Sequence, residues 1–180
     1  MTYSGLVLHG YGFRFDTLYR HNDRWNYISP GAFDESLKSA HVVRMLLEHN
    51  DDLEFGNSQS NLILHADEYG VAFRCHLRKD KISEHVTALA QSKAFLDCSI
   101  GFTYAASNTT THTVSQNPVH FISKGELQEI SFLRAGACPE TNATLEDADK
   151  CGPLFSDCKA SRLVSDNKFN HLIRTLRDIE

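Results

Sequence analysis

A chain of 180 residues, 41% hydrophobic and 23% charged, has globular makeup and excludes wholesale disorder. Eighteen Lys and Arg against 23 Asp and Glu give a net charge of -5, leaving no basic footprint for nucleic acid or for an anionic membrane. No apolar run reaches the ~18 residues of a membrane span. Met1 to Gly10 lack a basic stretch followed by an apolar one, so neither spanning nor general export is expected.

Along the chain, Leu6, Leu8, Tyr11, Phe13 and Phe15 alternate around Gly10 and Gly12, which predicts a strand with a bend or bulge. Tyr19 to Tyr27 is polar. Ser29-Pro30 then offers a cap and a first helical residue, with Asp34 and Glu35 in the first turn, so a short helix is expected from about Gly31 to Ser39. Val42 to Leu47 reads as a buried strand that stops abruptly at Glu48-His49-Asn50-Asp51-Asp52. Leu62 to Leu64 and Val71 to Leu77 predict a hairpin across Asp67 to Gly70. Ile82, Val86, Leu89 and Ala90 recur at helical spacing and predict a helix to about Lys93.

Period two returns from Phe95 to Ala105, with Ile100, Phe102 and Tyr104 on one face and Ser99, Gly101 and Thr103 on the other. The Ser/Thr/Asn-rich stretch from Ser107 to Asn117 has loop composition. Val119 to Ile122 and Leu127 to Leu133 read as a last strand pair joined at Lys124-Gly125. Periodicity is then lost until Ser161, after which Phe169, Leu172, Ile173, Leu176 and Ile179 line one face of an amphipathic helix. That face suits packing, or docking of a partner protein or of a second copy as a homo-oligomer. The order predicts an α+β fold, mainly antiparallel, compatible with a barrel and peripheral helices.

His49 ends a buried strand, Ser99 is the small polar member of an alternating strand, and Glu129 lies in the last long strand. A serine needs a base to act as nucleophile, a neutral histidine is the usual base near pH 7, and the histidine needs an acceptor on its other nitrogen. By pattern alone a loop histidine, a small strand residue and a solvated glutamate account for the three more simply. Glu126 is the rival acid and Cys98 the rival nucleophile. Each falls on the opposite strand face from its competitor, and Cys98 reads as core. There is no HExxH pattern, and Cys138, Cys151 and Cys158 lack C-x-x-C spacing, so no metal and no cofactor is expected. Five irregular cysteines read as reduced thiols. A G-x-S-x-G elbow is missing and the order is His, Ser, Glu, which argues against an α/β-hydrolase.

Three segments, Met45-Leu46-Leu47-Glu48-His49-Asn50, Asp97-Cys98-Ser99-Ile100-Gly101-Phe102 and Leu127-Gln128-Glu129-Ile130-Ser131, resemble motifs of the tailed-phage prohead serine protease family. Gly31-Ala32-Phe33 resembles its upstream segment and Gly56 its glycine after the histidine, while Asn50 stands where aspartate is common. The resemblance covers about residues 5 to 145. It implies a protease domain over 1–145, a tail over 146–180, and the herpesvirus assemblin-type fold, an antiparallel β-barrel surrounded by helices. It further implies a serine endopeptidase with Ser99 as nucleophile, His49 as general base and acid, and Glu129 as orienting acceptor. Its substrates would be the scaffold and the amino-terminal segment of the major capsid protein, and the enzyme itself, inside the prohead in the bacterial host cytoplasm. The source would be a phage or a prophage. On that reading Ser99 faces a cleft, Gly101 lets a substrate backbone approach, and N–H groups near Phe132 to Ala135 supply the oxyanion site. A relative that keeps the fold but serves only as a scaffold or capsid-interaction protein is the alternative.

Overall fold

A computed structural model describes residues 2–21, 23–93, 97–114, 116–136 and 140–152. Twelve strands, two α-helices and a 3-10 turn over Ala106–Asn108 make up these residues. The strands form three four-stranded sheets. In chain order they are β1 (Tyr3–Arg14), β2 (Leu18–His21), β3 (Arg24–Ile28), β4 (Arg44–Leu47), β5 (Asn50–Asn57) and β6 (Leu62–Ala66). They continue as β7 (Gly70–Arg78), β8 (Asp97–Thr103), β9 (Thr109–Val114), β10 (Asn117–Ile122), β11 (Glu126–Leu133) and β12 (Asn142–Asp147). The helices are α1 (Asp34–Lys38) and α2 (Lys81–Gln91).

One sheet runs β12-β1-β7-β6, a second β2-β3-β10-β9 and a third β5-β4-β11-β8. Pairing is antiparallel except for β3 with β10 and β4 with β11. The fold is therefore mainly antiparallel α+β, as expected, but the described strands close no barrel and two helices do not surround them. The C-terminal helix expected over Phe169 to Ile179 lies outside the described residues. α1 is also shorter than expected: Ser29 to Phe33 form turns, with Ala32 N–H on the Ser29 carbonyl and Asp34 N–H on that of Gly31. α2 starts where Asp80 caps it, its carboxylate accepting from Ser83 N–H at 2.8 Å, and Val86 is its buried contact.

Five strands lie in stretches read as loop or without period. β2 and β3 form a hairpin within the polar stretch, held by Leu18 and Val119 with Trp25, Tyr27 and Phe121 packed on them. β5 follows His49 through acidic residues, where Arg44 pairs with Asp51 at 2.7 Å and Phe55 is fully buried. β9 is the threonine-rich run: β-branched threonine suits a strand, and β10 supplies the partner. β12 pairs with β1, buries Ala143 and runs to Asp147, so Glu146 is a strand residue. β10 and β11 are not a hairpin, because they belong to different sheets. The bulge expected in β1 is present as a register shift between Tyr11 and Phe13.

The main core joins the first and third sheets. Phe13, Phe33, Phe55, Phe73 and Phe132 are all fully buried in it, and Phe33 meets Phe13 edge-on at 6.4 Å between ring centroids. β11 sits at the middle of the third sheet, with β4 on one side and β8 on the other. That placement brings segments from three distant parts of the chain side by side.

Candidate active site

His49 is presented by a two-residue turn between β4 and β5, since Leu47 pairs with Asn50. Both turn residues are left-handed, Glu48 at φ 55° and His49 at φ 57°, as a type I′ hairpin requires. Neither is glycine or asparagine, so the turn carries strain of about 1–2 kcal/mol per residue. The neighbouring strand holds it: Glu48 N–H donates to the Phe132 carbonyl at 3.1 Å, and His49 N–H to Ser131 Oγ at 3.1 Å.

Glu129 and Ser131 are two apart on β11 and both are buried, Ser131 fully. A buried carboxylate is tolerated only where its oxygens find donors. Glu129 Oε1 lies 2.7 Å from His49 Nδ1, and Ser131 Oγ donates to Oε2 at 2.6 Å. Across the ladder on β8, Ser99 stands opposite Ser131 and Gly101 opposite Glu129. A Cβ at Gly101 would fall 2.5 Å from Glu129 Oε1, so this glycine makes room for the carboxylate. Gly101→Ala displaces Glu129 from the imidazole. Roughly 10²-fold of any activity that depends on the pair should be lost, measurable as kcat/KM on a cleaved peptide.

Hydrogen bonding to Glu129 raises the His49 pKa above the ordinary histidine value; partial burial opposes this, and the charges of Glu129 and Glu48 add to the rise. His49 and Ser99 line one cavity of about 690 Å³ together with Gly101. Phe13, Tyr19, Asn26 and Ile122 also line it, drawn from β1 and the second sheet. The cavity thus lies between sheets and is lined mostly by apolar surface. Among the described residues, no hydrogen bond joins Ser99 Oγ to the imidazole. The structure brings His49 and Glu129 into contact and Ser99 into the cavity that His49 lines.

The rivals fall elsewhere. Glu126 is exposed and lies 3.4 Å from His41 Nδ1, away from His49. Cys98 is fully buried, and burial pushes its thiol far above the usual range. Leu133 and Ala135 line the cavity, so the segment expected to carry oxyanion donors does border it. Ser131 is the functional neighbour that residue-by-residue reading passed over. Its signal was available, since positions 129 and 131 of a strand share a face.

Among the described residues, His9, Glu146 and Cys151 place one ligand-type atom each within 4.8 Å of one another. The Arg74 guanidinium beside Cys151 already brings positive charge to this group and donates to the Gly152 carbonyl, which disfavours a cation there. Cys75, Cys98 and Cys151 are free thiols. No helix of the described residues is long and apolar enough to cross a membrane.

The model of the caudovirus prohead serine protease family matches residues 2–151. No curated protein matches the sequence. Among solved structures, the Kaposi's sarcoma herpesvirus (KSHV) protease in complex with a hexapeptide phosphonate inhibitor aligns at TM-score 0.53 and 13% identity, over 96% of this chain and 76% of that one. The same protease in complex with an allosteric inhibitor aligns at TM-score 0.51 and 16% identity, over 96% and 91%. At such identities the likeness is one of fold.

Proposed function

We propose that this chain, which belongs to the caudovirus prohead serine protease family, is an endopeptidase that matures a phage capsid as the shell assembles. Ser99 is the nucleophile, His49 the general base and then acid, and Glu129 the acceptor that holds the ring. The observation that carries the reading is the 2.7 Å contact of His49 Nδ1 with Glu129 Oε1 beside a cavity that Ser99 also lines.

With Nδ1 engaged by the carboxylate, Nε2 is the nitrogen left for proton transfer. It accepts the Ser99 proton as Oγ attacks the peptide carbonyl, and returns it to the amine as the C–N bond breaks. Water then attacks the acyl ester, its proton again passing to Nε2, and the freed Ser99 oxygen takes that proton back. Backbone N–H groups between Phe132 and Ala135 are the proposed donors to the oxyanion, because Leu133 and Ala135 border the cavity. These steps need no metal or cofactor. The substrates are scaffold or the amino-terminal segment of the major capsid protein, and the chain itself, inside the prohead in the bacterial cytoplasm.

A peptidyl phosphonate tests the assignment, since it captures only a serine made nucleophilic. The expected result is one adduct, located by peptide mass spectrometry on Ser99. A folded protein that stays unlabelled both free and assembled would instead mark an inert relative acting as scaffold or capsid-interaction protein.

A further inference from the structure

We infer that Ser131 is a positioning residue, whose hydroxyl fixes Glu129 and the His49 turn relative to each other. Its Oγ donates to Glu129 Oε2 at 2.6 Å and accepts from His49 N–H at 3.1 Å, so one atom grips both partners of the pair. Without the first bond the carboxylate is free to swing about its side-chain axis, and Oε1 loses its aim at Nδ1. Without the second, a left-handed turn loses one of the two β11 contacts that hold it. The backbone of Ser131 adds a third tie, pairing with Ser99 on β8 and with Leu46 on β4. Full burial means no water replaces the hydroxyl when it is removed.

A role in catalysis presupposes the proteolytic reading above, whereas the hold on the imidazole does not. Two readouts on the full chain therefore separate them: kcat and KM on a cleaved peptide, and the His49 titration midpoint by NMR. For Ser131→Ala the expected results are a kcat lowered roughly 10²-fold, an unchanged KM, and a His49 midpoint that moves down as its contact with Glu129 loosens. Ser36→Ala is the matched control. Ser36 is also buried and its Oγ accepts from Leu127 N–H of the same β11, at 2.9 Å, without touching the pair. It should lower stability and leave both readouts alone. Ser131→Thr and Ser131→Val add equal bulk and differ in the hydroxyl, so Thr should retain the wild-type midpoint and Val should lose it, even if the alanine variant folds poorly. A Ser131→Ala midpoint equal to or above wild type, or identical Thr and Val midpoints, overturns the inference. Should Ser99→Ala cleave as well as wild type, the proteolytic reading falls and the NMR midpoints still decide the role of Ser131.

Discussion

Ser99→Ala is expected to fold like the wild-type chain and to lose processing of the capsid protein altogether. Ser99 Oγ makes no hydrogen bond among the described residues and the side chain is half-buried at the cavity, so removing one oxygen should change stability by no more than about 0.5 kcal/mol. The chemistry has no such tolerance. Without a nucleophile no acyl-enzyme forms, and loss of a triad serine lowers kcat by roughly a million-fold, leaving only what binding and oxyanion contacts supply. Co-expression with a phage major capsid protein, the proposed substrate, gives the measurement. Intact mass should show capsid protein trimmed by the wild-type chain and full-length with the variant, while circular dichroism and melting temperature stay alike. A variant that still trims removes Ser99 from the mechanism.

Glu129→Gln should produce the second largest change, and it carries a pH signature. The amide keeps the shape of the side chain but loses the charge that stabilises an imidazolium, and kcat/KM should drop by roughly 10³–10⁴-fold. In the proposed mechanism His49 must be neutral to take the Ser99 proton. Its pKa in the folded chain is raised, first through the hydrogen bond to Glu129, so the acid limb of the wild-type kcat/KM profile should lie above the ordinary histidine value of about 6.5. In the variant that limb should move down, giving relatively more of its residual activity at low pH. Stability follows the same linkage. Because folding raises this pKa, the pair's contribution is complete below the unfolded value and fades as pH climbs through the folded one. Glu129→Gln should flatten that window, as read from denaturation midpoints between pH 5 and 8. An acid limb that stays in place would remove Glu129 from contact with the catalytic imidazole.

The parts legible in the sequence were those whose signal is local. Val71, Phe73, Cys75 and Leu77 alternate, and β7 lies where they predict. Ile82, Val86, Leu89 and Ala90 recur at helical spacing, and α2 covers them. The threonines of β9 and the acidic residues of β5 give no such signal, because an exposed or edge strand needs only one buried face or none. Their strand character comes from the partner that pairs with them. β12 was missed for the same reason: it is a strand because β1, more than a hundred residues earlier, offers it an edge.

His49, Ser99 and Glu129 could be named from short motifs, and parity could set Glu129 and Ser131 on one face. The composition and motifs of this chain also sufficed to suggest an α+β fold built mostly from antiparallel strands. Contact was beyond their reach. His49 and Glu129 are 80 residues apart, and only the parallel placement of β4 beside β11, with β8 on the other side, sets the carboxylate against the imidazole and brings imidazole and hydroxyl to one cavity. Strand pairing is decided by surfaces that meet after the chain has folded, and spacing along a line holds no record of which edges those will be.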